Sequence, residues 1–140
     1  HIQDFSAKLD GRKFFSKMDL IKGFYHIPVA EEDVPKTAII TPFGLFEFLR
    51  MPFGLCNAAQ SFQRFMDQLF QDIPDIFVYV DDILVASPTL EGHWDTLRKV
   101  CQRISDYGLA INIDKCLFAV EELSFLGHSV SAAGIRPEVL

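Results

Sequence analysis

Residues 76–87 read IFVYVDDILVAS. Two short runs of apolar residues, 76–80 and 83–87, are separated only by Asp81 and Asp82. Two such runs around a pair of turn-forming residues predict a β-hairpin with both acids at its tip. An ionised carboxylate among apolar residues is costly unless it is paired or bound to a metal. The stretch therefore indicates either a simple polar turn or a site for a cation.

The rest of the chain predicts both strands and helices. Residues 13–20 read KFFSKMDL and predict a strand with Phe14, Phe15 and Met18 in the core. Residues 57–72 predict an amphipathic helix that begins at the N-cap Asn57, and a second helix is expected at 89–107. The apolar residues of this second helix are Trp94, Leu97, Cys101 and Ile104. The other expected strands are 36–41, 43–54 with a turn, 109–113, and the hairpin 123–135.

This order of elements favours the α+β class, because helices and antiparallel strands are mixed without a repeated βαβ unit. We expect one domain of 140 residues, in which 1–12 is a short lead-in. The two helices are expected to cover one face of an antiparallel sheet. The other face, which would carry the aspartates, is expected to be open for binding.

Composition excludes several classes of protein. With 49% hydrophobic residues, disorder is excluded, and no apolar run approaches the ~20 residues of a membrane span. The three cysteines have no metal-binding spacing, which is typical of small buried residues in a reducing compartment. No signal-peptide pattern precedes the first strand, and the ends of the sequence suggest a piece of a longer protein.

The net charge of −6 argues against a large basic surface for nucleic acid. Any such function must therefore use local contacts, metal ions or basic segments outside the chain.

Asp19 ends the strand at 13–20 and is a third acid that a sheet could bring beside Asp81 and Asp82. A cluster of three carboxylates repels itself unless divalent cations neutralise it. Mg²⁺ suits oxygen ligands, and two ions about 3.5–4 Å apart would clamp a phosphoryl transfer.

Five blocks of sequence occur in one order over nearly the whole chain, and together they carry a resemblance. They are FSKMDLIKGFYHIPV (15–29), KTAIITPFGLFEFLRMPFGLCNAAQSFQRFM (36–66), FVYVDDILVAS (77–87), YGLAINIDKC (107–116) and LSFLGHSVSAAGI (123–135). The set resembles the reverse transcriptase of gypsy-type LTR retrotransposons. The resemblance implies the palm of a polymerase, with a ferredoxin-like or RRM-like core and without most of the fingers and thumb.

The resemblance also implies a catalytic metal site. Asp19 and Asp81 would be the main ligands of two Mg²⁺ ions, for which Mn²⁺ can substitute. Asp82 would be required but would contact the ions less directly. The backbone carbonyl of Leu20 would be a further ligand.

Substrate contacts are implied at further positions. Phe24 would exclude ribonucleotides by packing beneath the incoming sugar, although a core aromatic is the alternative. Four more residues would lie near the nucleotide: Phe53, Gly54, Val80 and Lys115. Phe53 departs from the glutamine of retroviral relatives, and Lys115 could equally be a solvated surface lysine. Leu126 and Gly127 in the hairpin 123–135 would grip the primer.

The implied activity is RNA-directed DNA polymerisation, in which a primer 3′-hydroxyl attacks a deoxynucleoside triphosphate on an RNA or DNA template. The implied partners are the fingers, thumb and RNase H segments of a Pol polyprotein. The implied location is the cytoplasm, in a virus-like particle. Two alternatives remain: a non-catalytic RNA-binding or interaction module, and a nucleotide cyclase, which the MPFG and FLGH blocks disfavour.

Overall fold

The computed structural model describes residues 2–21, 38–41, 44–47 and 55–138. Antiparallel strands and two main helices confirm the α+β class. The helices are α1 (Ile2–Phe5), α2 (Leu55–Leu69) and α3 (Leu90–Asp106), with 3-10 turns at Ser6–Leu9 and Ile113–Lys115. The strands are β1 (Phe14–Asp19), β2 (Ala38–Thr41), β3 (Gly44–Glu47), β4 (Ile76–Tyr79), β5 (Asp82–Ser87), β6 (Leu117–Val120), β7 (Glu122–Phe125), β8 (His128–Ser131) and β9 (Gly134–Pro137).

The central sheet has the strand order β4-β5-β1-β6, with every neighbouring pair antiparallel. The hairpin predicted around Asp81 and Asp82 is confirmed as β4 and β5. Strand β1 lies beside β5 in a register that runs from Phe14 opposite Ser87 to Asp19 opposite Asp82. The end of β1 therefore lies beside the start of β5, where the acids are.

The first core lies between the central sheet and the two long helices. Because side chains alternate across a strand, Met18 of β1 and its partner Ile83 of β5 face the helices together. Phe65, Met66 and the rest of the apolar stripe of α2 pack against them. The periodicity that predicted this helix is confirmed, although α2 begins at Leu55, so that the expected N-cap Asn57 lies inside it.

The opposite face of the sheet is not fully open, contrary to the expectation. Phe15, Leu84 and Ala86 lie on that face, where they form a second core with the N-terminal turns and with β7 and β8. The phenyl rings of Phe77 and Phe125 contact edge to face at 6.0 Å between centroids. Strands β7, β8 and β9 form a separate antiparallel sheet, which confirms the hairpin expected at 123–135 and adds a strand to it. Among the described residues, the end of this face that carries Asp19 and Asp82 lies outside this second core.

Two further expectations are wrong. Residues 109–113 do not form a strand, because Ile111 makes a single β-bridge, to Leu20 just past the end of β1, before the chain turns into the 3-10 segment. Trp94 of α3 is not in the core and is 45% exposed. The neighbouring His93, which the periodicity did not suggest, is fully buried instead. Near the N-terminus of α3, the side of the helix that faces the core is therefore shifted by one residue from the side that the periodicity predicts.

His93 belongs to a buried polar network at the end of the sheet away from the acids. Its Nε2 lies 2.5 Å from Ser16 Oγ, and its Nδ1 lies 2.8 Å from Ser87 Oγ. Ser16 Oγ also accepts a hydrogen bond of 2.8 Å from the backbone N–H of Ala119. The network ties α3 to β1, β5 and β6, and burial lowers the pKa of His93 below its usual 6.5.

Candidate active site

The turn between β4 and β5 has an unusual backbone. Tyr79 and Asp82 are paired, so that Val80 and Asp81 form a two-residue loop. Val80 has a φ of 52°, which is in the left-handed region that β-branched residues rarely adopt. A positive φ at this position is what the tight turns of β-hairpins require. The turn places the carboxylate-bearing Asp81 almost completely inside the protein, at 5% exposure.

A glutamine from α2 supports this turn. The Gln63 Oε1 accepts a 2.5 Å hydrogen bond from the N–H of Val80, and its Nε2 donates a 3.0 Å bond to the carbonyl of Val78. The same Nε2 lies 2.9 Å from Asp67 Oδ1. A single amide side chain therefore pairs two backbone groups, the carbonyl of Val78 and the N–H of Val80. It also stabilises the strained conformation of Val80, the residue before Asp81. The sequence signal for Gln63 is one polar side chain at the border of the apolar stripe of α2.

Asp19 and Asp82 are direct cross-strand partners at the same end of the sheet. Side chains so paired point to one face with Cβ atoms about 4.5–5.5 Å apart. The structure therefore brings together two acids that are far apart in the sequence. The third acid, Asp81, is the next residue along, and its backbone carbonyl accepts a 2.8 Å hydrogen bond from the N–H of Leu20.

Crowding of the acids changes the titration of Asp82. Burial is the largest cause that raises the pKa of the Asp82 carboxyl from its usual 3.8 to about 6. A hydrogen bond with Asp19 and the negative charges of Asp81 and Asp19 raise this pKa further, whereas the positive charge of Lys17 lowers it. Lys17 lies two residues before Asp19 on the same face of β1. Without a cation, the Asp82 carboxyl is thus protonated more readily than a free aspartate.

The backbone of Asp19 is held on its other side by the chain after α3. The carbonyl of Asp19 accepts a 2.7 Å hydrogen bond from the N–H of Asn112, and the N–H of Ile21 donates a 2.9 Å bond to the carbonyl of Ala110. The N–H of Asp19 donates to the Cys116 Sγ at 3.4 Å. Asp19 is therefore fixed from both edges of β1. Sequence reasoning treated Cys116 only as a small buried residue and missed this contact.

The structure gives positions, but not roles, for the other predicted site residues. The Val80 side chain packs against the helix-side core, and Leu20 is buried in that core. Lys115 is exposed on the 3-10 turn that follows Asn112. Leu126 and Gly127 form the two-residue turn between β7 and β8, with φ values of 50° and 74°. The predicted residues Phe24, Phe53 and Gly54 lie outside the described residues.

A divalent cation suits the donors present, since three carboxylates at one sheet end provide hard oxygen ligands. Across residues 2–21, 38–41, 44–47 and 55–138, however, no three His, Cys, Asp or Glu side chains are arranged closely enough to hold an ion as they stand. Asp19 and Asp82 face each other, while Asp81 points into the protein. Coordination by all three would therefore require a change of side-chain rotamer.

Comparison with known proteins decides the family. The sequence pattern of the reverse transcriptase (RNA-dependent DNA polymerase) family matches residues 2–130. The chain belongs to the reverse transcriptase family. It is 42% identical over 134 residues to the retrovirus-related Pol polyprotein from transposon opus, and 39% identical over 139 residues to that from transposon 297, both of Drosophila melanogaster. These alignments cover 94% and 98% of the chain but only 13% of each polyprotein.

Solved reverse transcriptases share the fold. The chain is similar to a foamy viral protease-reverse transcriptase in complex with double-stranded DNA, with a TM-score of 0.74, 29% identity, and coverage of 96% of this chain and 24% of the viral one. For the foamy viral protein in complex with an RNA/DNA hybrid the TM-score is 0.70, with 29% identity and coverage of 90% and 17%. The resemblance to retrotransposon reverse transcriptases is thus confirmed, and the gypsy type stays a prediction.

In the part of the chain that the structure describes, no helix is both long and apolar enough to cross a membrane.

Proposed function

We propose that this chain is the palm segment of an RNA-directed DNA polymerase, which transfers deoxynucleotides to a primer 3′-hydroxyl. The observation that carries the proposal is the pairing of Asp19 with Asp82 at the open end of the sheet, next to Asp81 in a strained turn. Membership of the reverse transcriptase family supports it. Since the chain spans 13% of the Drosophila polyproteins, fingers, thumb and RNase H segments would be supplied by the rest of such a protein.

The three acids would hold two Mg²⁺ ions, or Mn²⁺ in their place. Bound ions of this kind activate the attacking hydroxyl and neutralise the leaving pyrophosphate. Asp19 and Asp81 would be the main ligands, with the carbonyl of Leu20 beside them. Asp82 would orient Asp19 across the strand pair and add negative charge to the site. Hydrogen bonds around the backbone of Asp19 would hold that residue in place, whereas Asp81, which points into the protein, would have to change its rotamer to bind an ion.

The substrates would be a primed RNA or DNA template and deoxynucleoside triphosphates. The foamy viral relatives, solved with an RNA/DNA hybrid and with double-stranded DNA, support a nucleic-acid partner. Phe24 would exclude the ribose 2′-hydroxyl, and Leu126 and Gly127 would grip the primer. Four residues would contribute to the nucleotide site: Phe53, Gly54, Val80 and Lys115.

Replacement of one acid tests the proposal in a polymerase-length protein that contains this chain. Asp81→Asn should abolish primer extension while leaving the circular dichroism spectrum and thermal unfolding nearly unchanged. Asp106→Asn is the control, because it makes the same change at an exposed position of α3. Extension by Asp81→Asn at the rate of the control would refute the assignment. Binding of an RNA/DNA hybrid without extension by the wild type would favour the non-catalytic module instead.

A further inference from the structure

The pairing of β1 with its neighbour is interrupted at Asp19. Strand β6 accompanies β1 only as far as the pair Lys17 and Leu117. Pairing on this side resumes just past the end of β1, at the isolated bridge between Leu20 and Ile111. Between these two points the chain leaves the sheet as the 3-10 turn Ile113–Lys115. The carbonyl of Asp19 is still paired with the backbone N–H of Asn112, whereas its own N–H lies opposite the gap that the 3-10 turn leaves.

The thiol of Cys116 fills this gap. Its Sγ accepts the N–H of Asp19 at 3.4 Å and donates to the carbonyl of Asn112 at 3.2 Å. The N–H of Asn112 in turn donates to the carbonyl of Asp19 at 2.7 Å. The three residues thus form a closed ring of hydrogen bonds around the backbone of Asp19. A thiol can take both parts because it is a weak donor and a weak acceptor at once.

We propose that Cys116 is a positioning residue that holds the Asp19 carboxylate in place through the Asp19 backbone. This inference rests on the proposed polymerase function of Asp19. The thiol allows the 3-10 turn to leave the sheet without pulling Asp19 out of line with Asp82. An apolar side chain of similar size would keep the packing but would leave the half-shielded N–H of Asp19 without an acceptor, which a folded protein tolerates poorly.

Three substitutions at this position separate hydrogen bonding from packing. Cys116→Val and Cys116→Ala remove both bonds, whereas Cys116→Ser keeps a donor and an acceptor. Cys101→Ala is the matched control, because Cys101 is also half-buried and packs against the same helix-side core. Each variant is made in a polymerase-length protein, and primer extension gives kcat and the KM for deoxynucleotide. Hydrogen exchange of the peptide 17–21, measured in EDTA, reports the Asp19 amide without metal or substrate.

We expect Cys116→Val and Cys116→Ala to lower kcat by about 3- to 10-fold, the effect of losing the one of the two bonds that holds the Asp19 N–H, with little change in KM. The Asp19 amide should exchange faster in both. Cys116→Ser should return kcat and exchange to within about twofold of the wild type, and Cys101→Ala should resemble the wild type. Should Cys116→Val fail to fold, Cys116→Ala decides in its place.

Two results would overturn the inference: unchanged exchange of the Asp19 amide in the apolar variants, or equal losses in Cys116→Ser and Cys116→Ala. A failure of the proposed function looks different, because the wild type itself would then not extend a primer. In that case the exchange measurement still decides whether Cys116 holds the backbone of Asp19.

Discussion

Replacing His93 with phenylalanine removes the centre of the buried network that joins α3 to the sheet. The imidazole is fully buried, with Ser16 Oγ and Ser87 Oγ on its two nitrogens. A phenyl ring is only slightly larger, so that His93→Phe keeps most of the packing and deletes both hydrogen bonds. The substitution is far from the acids, and its main effect should therefore be on stability.

The expected loss follows from the hydroxyl groups that remain. A buried polar group left without a partner costs about 1–3 kcal/mol. Ser16 keeps the hydrogen bond from the N–H of Ala119, so its cost should be at the low end of that range. The two serines together should lower the free energy of unfolding by about 2–4 kcal/mol at pH 7.5. This is a large part of the roughly 5–15 kcal/mol that stabilises a typical domain.

The same histidine predicts a pH dependence. Burial holds the folded pKa of His93 below the 6.5 of the unfolded chain, so the unfolded state binds its proton first. The stability that the neutral ring contributes is complete above pH 6.5 and is lost as pH falls through the folded pKa. The loss is at most about 1.4 kcal/mol per pH unit. The difference between wild type and His93→Phe should therefore be smaller at pH 5.5 than at pH 7.5.

Urea unfolding of the purified chain, followed by circular dichroism at both pH values, measures these differences. The double variant Ser16→Ala/Ser87→Ala provides the control background, in which His93→Phe should cost much less because no hydroxyl is left unpaired. A cost below about 0.5 kcal/mol at pH 7.5, an equal difference at both pH values, or the same cost in the control background would refute the reasoning.

Three other predictions concern the acids and their surroundings. In EDTA, Asp82→Asn should raise the free energy of unfolding at pH 7.5 by about 1 kcal/mol, after allowance for solvent screening, because it removes repulsion among the acids; a lower urea midpoint would contradict this. Gln63→Ala should destabilise the chain by about 1–2 kcal/mol and speed amide exchange at Val80, since it removes the hydrogen bonds to the carbonyl of Val78 and the N–H of Val80. Unchanged exchange at Val80 would show that Gln63 does not stabilise the turn. Phe24→Ala should raise ribonucleotide incorporation by a polymerase-length protein, and an unchanged preference in competition assays would assign Phe24 to the core.

Local patterns allowed much of the fold to be predicted from sequence. The apolar stripe of α2 and the hairpin of β4 and β5 depend on residues close together in the chain, and both are present within a few residues of the expected bounds. The acids could also be predicted as site candidates, because Asp81 and Asp82 interrupt apolar runs. Their pairing with Asp19 is tertiary, and here the sequence offered only the end of a strand pattern.

The features that could not be predicted depend on partners distant in sequence. His93 is buried because two serines on β1 and β5 face it, and neither is visible in the periodicity of α3. The strand expected at 109–113 is reduced to one bridge, because the chain must leave the sheet beside Asp19. Asp19 is paired with Asp82 rather than with Asp81. This pairing follows from the register of β1 and β5, which composition does not encode.

The antiparallel register of β1 and β5 also determines where this family can vary in length. The position of Asp82 opposite Asp19 depends on hydrogen bonds within the two strands, and not on how many residues join them. Insertions and deletions in the connection between β1 and α2 can therefore accumulate among relatives without moving the acids. One residue gained or lost inside either strand would instead turn its acid to the other face of the sheet. We expect gaps in alignments of the family to be absent from both strands and to fall in the parts of that connection away from Phe24, Phe53 and Gly54.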